Sequence, residues 1–303
     1  MNPFVEIVST GRYLPDRIMT NQDLESIVQT TDEWIVERTG IRERRVAPPE
    51  MTAAYMGAEA ARIALERAGV TADGVDLLIV STATPDRLLP ATACDVQALI
   101  GASNAVAFDV IGACTGFIYG LTVAEGYLST GRGKITLVVA TEKMSSIVDW
   151  EDRTTCVLFG DGAGAALVRK SEGERGILGT HHQSDGKLAE LLYRPAGGAA
   201  IPMDQDVLRD RSHFVKMAGR GVFKHAVRAM ANSSIEVLER TGWEVDDVDL
   251  VFPHQANIRI IEATARYAGL PMEKVFVNVD RYGNMSSATI PVAMDEALEA
   301  GRL

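Results

Sequence analysis

Cysteine is scarce in this chain: three in 303 residues, at Cys94, Cys114 and Cys156. So odd and sparse a set, with no metal-ligand spacing, excludes a disulfide framework and a zinc-binding module, and fits a reducing compartment. No apolar run reaches the eighteen or so residues that a membrane span needs, and the amino terminus lacks a basic segment followed by an apolar core. A soluble, unexported, cytoplasmic protein without a membrane partner is expected. Basic residues are outnumbered, 30 against 41 acidic, and the net charge of −11 argues against nucleic acid as a general partner while leaving room for a local basic patch. What the chain does have is apolar mass. Hydrophobic residues make up 47% of it, enough for a large core in about two domains or two fused halves.

The stretch Phe108-Asp109-Val110-Ile111-Gly112-Ala113-Cys114-Thr115-Gly116-Phe117 runs an apolar strand into a cysteine that opens a helix. Val106 to Ile111 is β-branched and apolar enough for a buried strand, Gly112 and Ala113 suit a tight turn, and Thr115 to Leu128 suits a buried helix. The unpaired N–H groups and the macrodipole of a helix N-terminus stabilise a thiolate, so Cys114 is expected to have a lowered pKa and to act as a nucleophile. The alternative is inert packing among small apolar residues.

Upstream, Val5 to Ser9 reads as a strand, Asn21 as the cap of a first helix and Thr31 as the cap of a second. On that second helix Trp34 and Arg38 lie one turn apart, a pair that can clamp a flat aromatic ligand or simply cover a surface tryptophan. Gly40 to Arg45 reads as a solvated basic loop. Thr52 to Ala68 is an alanine-rich amphipathic helix, followed by the apolar strand Val75 to Ser81, of the kind buried on both faces in a parallel sheet. Phe159-Gly160-Asp161-Gly162-Ala163-Gly164-Ala165 invites comparison with a phosphate loop. The apolar run after it is a strand where a dinucleotide fingerprint needs a helix, so its glycines are read as a turn and a close backbone crossing.

Leu65 to Leu77 recurs without a gap as Leu238 to Leu250, at a constant offset of 173 residues with eight of thirteen positions identical. A duplicated helix-turn-strand unit explains this economically and predicts two related α/β halves packed on each other, residues 1–174 and 175–303. The corresponding strands end at Ser81-Thr82 and at Pro253-His254-Gln255, and ligands of parallel sheets bind at such carboxyl ends. Lys187 to Leu192 and Val275 to Val279 read as further strands, and Tyr282-Gly283-Asn284 turns into a last helix. Cys114, His254 and Asn284 thus each stand at a strand-to-helix turn, a set suited to acyl transfer and to stabilising an enolate.

Taken together, these motifs resemble those of β-ketoacyl-ACP synthase III, the initiating condensing enzyme of the thiolase superfamily. The resemblance rests on Thr31 to Arg44, the Gly112-Ala113-Cys114-Thr115-Gly116-Phe117 elbow, the run Phe159 to Ala165, Pro253-His254-Gln255-Ala256-Asn257 and Tyr282-Gly283-Asn284. It implies a thiolase-like fold and a decarboxylative condensation of an acyl-CoA primer with malonyl-ACP, starting type II fatty-acid synthesis without a metal or cofactor. By the same resemblance, Cys114 takes the acyl group, while His254 and Asn284 stabilise the enolate. Trp34, Arg38 and Arg153 would hold the adenine end of CoA, and Asn257 would meet its pantetheine arm. Leu89, in the loop before Pro90, would reach the acyl pocket of the second subunit of a homodimer, and Phe117 is assigned to the same pocket.

The carrier protein of that family is acidic and calls for positive charge on this chain. Lys216, Arg220, Lys224 and Arg228 fall at steps of four, and Arg259 and Arg266 are seven apart, so each set shares a face if its segment is helical. Of these, Lys224, Arg228, Arg259 and Arg266 are the candidates for docking. Thiolase itself is disfavoured, because neither Cys94 nor Cys156 sits in a motif for a second catalytic cysteine. Two alternatives stay open: a related acyltransferase of secondary metabolism, and a non-catalytic CoA- or carrier-binding homologue. One departure stands out. After the last helix the second half has no counterpart of the strands Ile135 to Ala140 and Ala165 to Val168, so roughly 15–20 residues of its sheet are expected to be wanting. The resemblance would put a glycine-rich loop there as well.

Overall fold

The computed structural model describes residues 5–173 and 175–303. Its first half runs β1 (Val5–Tyr13), β2 (Ile18–Thr20), α1 (Asn21–Glu25), α2 (Asp32–Thr39), β3 (Glu43–Arg45), α3 (Ala53–Ala68), β4 (Leu77–Ser81), α4 (Thr92–Ile100), β5 (Val106–Val110), α5 (Gly116–Ser129), β6 (Ile135–Lys143) and β7 (Asp161–Lys170). The second half adds β8 (Leu192–Tyr193), α6 (Gln205–Arg209), β9 (Lys216–Met217), α7 (Gly219–Thr241), α8 (Ile258–Ala268), α9 (Val279–Tyr282) and α10 (Thr289–Glu299).

Five of these strands form one mixed sheet in the order β1-β7-β6-β4-β5. β4 pairs in parallel with β5 and β6, while β7 runs antiparallel to both β6 and β1. Period-two alternation divides the sheet's side chains between two cores. Leu78, Val80, Leu137, Val139, Ala163, Ala165 and Leu167 face α3 and α4, where alanines such as Ala60, Ala61 and Ala64 let the helix lie close to the strands. Leu77, Ile79, Val138, Ala140, Ala166 and Val168 face the other way, onto Phe117 and Leu121 of α5 and Val292 of α10. The second half's last helix therefore closes the first half's core. Among the described residues, no helix is long and apolar enough to cross a membrane.

The glycines of the run 159–165 are explained by that closure. A Cβ at Gly160 would stand 2.4 Å from the Tyr282 carbonyl oxygen, and one at Gly164 2.8 Å from Pro291. The close crossing is as expected, but Gly162 and Gly164 lie within β7 rather than in a turn. A second tie is ionic: the buried Asp295 of α10 accepts from Thr10 at 2.8 Å and from Arg12 and Arg67.

Several local expectations change. Thr20, not Asn21, caps α1, and Asn21 is fully buried, donating to Asp32 and to the Ile41 carbonyl. The supposed solvated loop carries β3, with Arg44 fully buried against the carbonyls of Met19 and Val157 and the Asn21 amide oxygen. Its charge has no carboxylate among those partners, and burial lowers its pKa to about 10. Residues 186–191 form a 3₁₀ turn instead of a strand, and Lys216 lies in β9 with its Nζ 3.8 Å from Asp149, so it drops out of the helical basic stripe.

The second half repeats the helices of the first but not its sheet. Its expected strand around Val275 keeps one parallel bridge, Val251 to Val275, and Val279 already belongs to α9. In the first half, β7 and β6 fill the space between β1 and β4. A cavity of about 540 Å³ lies between residues 177–183 and 251–254, flanked by side chains of α5, α7 and α8.

Candidate active site

Two turns related by the 173-residue offset of the sequence repeat are built alike. β5 ends at Val110, Ala113 turns left-handed at φ 44°, residues 113–115 form a 3₁₀ turn and α5 starts at Gly116. At the same offset of 173, Ser286 turns left-handed at φ 47°, residues 286–288 form a 3₁₀ turn and α10 starts at Thr289. Left-handed backbone at a non-glycine residue is strained, and here it occurs at both equivalent positions of the site. The turns meet: Cys114 Sγ lies 3.9 Å from Ser286 Oγ.

Burial governs the thiol. It pushes Cys114 up to about 11, helped by the nearby Glu142 carboxylate, against a smaller downward pull from Ser286. The lowering expected from a helix start does not prevail: Cys114 sits in the 3₁₀ turn ahead of α5, and burial outweighs the downward pulls. Below that pKa the thiolate fraction grows about tenfold per pH unit. Alkylation of Cys114 by iodoacetamide, followed by peptide mass mapping, is thus expected to accelerate about tenfold per unit from pH 7 to pH 9 without levelling. A plateau near neutrality would show that the helix start, not burial, sets the thiol.

His254 ends the second-half equivalent of β4 and lines the same cavity as Cys114. Burial lowers its pKa to about 4, so at neutral pH the ring is uncharged. Its Nδ1 lies 2.7 Å from Thr289 Oγ1. The neighbouring Gln255, fully buried, donates to the Pro253 and Phe276 carbonyls and accepts from the Asn278 and Val279 N–H groups, which pins the strand end that carries His254. Asn284 is anchored to the first half, its N–H donating to Leu158 at 2.8 Å and its carbonyl accepting from Gly160 at 3.1 Å. Its side-chain Oδ1 accepts from Ser286 N–H at 2.8 Å, which leaves the Nδ2 hydrogens to donate elsewhere.

Behind these turns lies a carboxyl group that the sequence reading passed over. Glu142 is fully buried at the end of β6 and accepts from Thr84 Oγ1 at 2.7 Å, Ser287 Oγ at 2.9 Å and Ala83 N–H at 3.0 Å. Burial pushes its pKa up in spite of those donors. It ties the Asn284–Ser287 turn to the loop after β4, so one buried acid holds parts of both halves in place.

A second cluster sits at the surface. The Arg38 and Arg153 guanidinium carbons stand 5.4 and 4.8 Å from the centre of the Trp34 ring, so both arginines lie over the tryptophan. Gly40 ends α2 in the left-handed region, and a Cβ there would be 2.7 Å from Ile258. That contact brings the Trp34 helix up against the start of α8. There Asn257 serves as the cap, its Oδ1 accepting from Ile260 N–H at 2.9 Å.

The remaining candidates scatter. Phe117 is fully buried in the core between the sheet and α10 and is not among the residues that line the cavity. Asn284 is likewise not among the lining residues and meets the site through Ser286. Leu89 is 85% exposed beside the equally exposed Leu88, far too open for a core residue of a single chain. Lys224 and Arg228 on α7, and Arg259 and Arg266 on α8, are all exposed.

Comparison with known proteins agrees with this geometry. The model of the 3-oxoacyl-[acyl-carrier-protein] synthase III family matches residues 108–186, and the model of its C-terminal part matches residues 238–303. A β-ketoacyl-[acyl-carrier-protein] synthase III of Roseiflexus sp. is 49% identical over all of this chain and 92% of its own length. One from Caldanaerobacter subterraneus is 48% identical over 97% of this chain and 89% of its own. The crystal structure of 3-oxoacyl-[acyl-carrier-protein] synthase III from Aquifex aeolicus superposes with a TM-score of 0.91 at 47% identity, covering 99% of this chain and 92% of that one. With thiolase-like architecture, the paired turns and full-length identity near one half in agreement, the chain belongs to the 3-oxoacyl-[acyl-carrier-protein] synthase III family.

Proposed function

We propose that this chain condenses an acyl-CoA primer with malonyl-ACP to give 3-oxoacyl-ACP, the first condensation of type II fatty-acid synthesis. The observation that carries the reading is the meeting of Cys114 and His254 at one cavity, with the Asn284 turn joined to Cys114 through Ser286. In the first half-reaction Cys114 Sγ attacks the thioester carbonyl, the carbon–sulfur bond to CoA breaks, and the thiol proton ends on the departing CoA. In the second, malonyl-ACP loses carbon dioxide and its carbanion attacks the acyl-cysteine, expelling the Cys114 thiolate. The negative charge on the malonyl thioester oxygen needs N–H donors, which a neutral His254 and the Asn284 Nδ2 can supply. Neither half-reaction requires a cofactor.

Trp34, Arg38 and Arg153 form a platform for the adenine and phosphates of CoA, and Asn257 keeps its Nδ2 free of the capping bond for the pantetheine arm. Lys224, Arg228, Arg259 and Arg266 offer an acidic carrier a positive surface on two helices packed together. The exposed Leu89 fits a homodimer in which each subunit closes the other's acyl pocket. Residues 1–174 and 175–303 are then the two copies of one duplicated unit, and the enzyme acts in the cytoplasm.

The test separates the half-reactions. His254→Ala and Asn284→Ala are each expected to slow malonyl-ACP decarboxylation by about 10²–10³-fold, the cost of one oxyanion donor, while transfer of a radiolabelled acyl group from CoA to Cys114 continues. Equal losses in both would remove these residues from the enolate site.

A further inference from the structure

The 173-residue repeat pairs Ser81 with His254 and Gly116 with Thr289, the first residue of α5 with the first residue of α10. In each half, the end of the β4-type strand meets the start of the helix that follows the catalytic turn. In the first half the approach is so close that a Cβ on Gly116 would stand 1.9 Å from Ser81 Oγ, and that hydroxyl has no hydrogen-bond partner among the described residues. In the second half the same meeting is filled by a hydroxyl, Thr289 Oγ1, 2.7 Å from His254 Nδ1. The copy that carries the histidine is the copy whose helix begins with a hydroxyl-bearing residue.

That hydroxyl has one proton and two neighbours, His254 Nδ1 at 2.7 Å and the Ser286 carbonyl at 3.1 Å. The carbonyl already receives the Thr289 backbone N–H. The hydroxyl is within donating reach of that carbonyl too, but its contact with Nδ1 is the shorter of the two. A proton given to the shorter contact goes to Nδ1. A neutral imidazole that accepts at Nδ1 carries its own hydrogen at Nε2.

We propose that Thr289 is a positioning residue, whose hydroxyl donates to Nδ1 and holds His254 as the Nε2–H tautomer. Thr289 touches no substrate; it decides whether the histidine presents a donor or a lone pair. The consequence for catalysis rests on the reading of His254 as an enolate donor, because only an Nε2–H can stabilise a developing oxyanion.

The ring can be read directly, apart from activity. In protein labelled with ¹⁵N-histidine, with the His254 signals assigned by their loss in His254→Gln, long-range ¹H–¹⁵N spectra at pH 7 are expected to show a protonated Nε2 and an unprotonated Nδ1. Thr289→Val keeps the shape and removes the hydroxyl, and should move His254 toward a tautomer mixture; Thr289→Ser should restore Nε2–H. A protonated Nδ1 in the wild type, or an unchanged tautomer in Thr289→Val, overturns the proposal, and the wild-type spectrum decides even if the valine variant fails to fold. Malonyl-ACP decarboxylation should fall in Thr289→Val by up to about 10²-fold, the cost of one donor, return in Thr289→Ser, and leave acyl transfer to Cys114 within about threefold. A shifted tautomer with unchanged decarboxylation would uphold the role of Thr289 and discard the enolate role of His254.

Discussion

Cys114→Ser is expected to abolish acyl-enzyme formation while leaving the fold intact. Covalent capture needs an ionisable nucleophile of high intrinsic reactivity, and a serine hydroxyl is far weaker at neutral pH than a thiol unless a base activates it. The surroundings of Cys114 aggravate the difference. Burial and the Glu142 carboxylate already raise the thiol pKa to about 11, and the same surroundings oppose an alkoxide still more strongly. His254 cannot compensate if its Nε2 carries a hydrogen, since it then offers no lone pair toward position 114. The substitution removes little volume, and Ser286 can still pair with a hydroxyl. Intact mass after incubation with acyl-CoA should show no adduct on the variant, with an unchanged thermal midpoint. Retained acylation at position 114, or elsewhere at the wild-type rate, would end the nucleophile assignment.

Asp295→Ala is expected to cost the fold about 2–4 kcal/mol, the range for losing several charge-assisted hydrogen bonds at a buried carboxylate. Asp295 is completely buried, and its partners Thr10, Arg12 and Arg67 lie on β1 and α3, more than 220 residues away in sequence. Removing the carboxylate leaves Thr10 without that acceptor and two arginines with the more exposed Glu299 as their remaining carboxylate, Arg67 also keeping its bond to the Thr10 carbonyl. Because α10 begins at Thr289, loosening it also loosens the contact to His254 and the strained turn at Ser286. The urea midpoint should fall, and decarboxylation should fall with it at temperatures where the variant stays folded. A loss below about 0.5 kcal/mol would make this network a surface ion pair in effect.

The sheet was legible where burial imposes a pattern. The apolar runs at 75–81, 135–140 and 165–168 became β4, β6 and β7 because strands buried on both faces must be almost wholly apolar, whereas β5, expected to be buried, is a part-exposed strand at the edge of the sheet. The second half obeyed the same pattern less well. Val251 and Val275 keep one bridge, and the expected strand extends no further than that. Arg44 was misread because sequence alone prices an arginine as solvated. Three fixed acceptors, at Met19, Asn21 and Val157, are brought to it from distant segments.

The site was half legible. Cys114, His254 and Asn284 announce themselves as reactive or amide side chains at turns, and Trp34 with Arg38 by helical spacing. The groups that orient them do not. Glu142 lies in an apolar strand, Gln255 beside the histidine, and Ser286, Ser287 and Thr289 in a run of small residues that any turn would accept. A signal was nevertheless available. The offset of 173 that aligns Leu77 with Leu250 continues to Ser81 and His254, to Ala113 and Ser286, and to Gly116 and Thr289. Followed that far, it places the second turn and its hydroxyl opposite the histidine.

One cysteine, Cys114, is expected to be charged by acyl-CoA and discharged by malonyl-ACP. Radiolabelled acyl-CoA given to the wild-type chain should put label on Cys114, and malonyl-ACP added afterwards should carry that label away as 3-oxoacyl-ACP, returning the protein to its unmodified mass. Label that remains on Cys114 in the presence of malonyl-ACP, or never arrives there, would contradict the account.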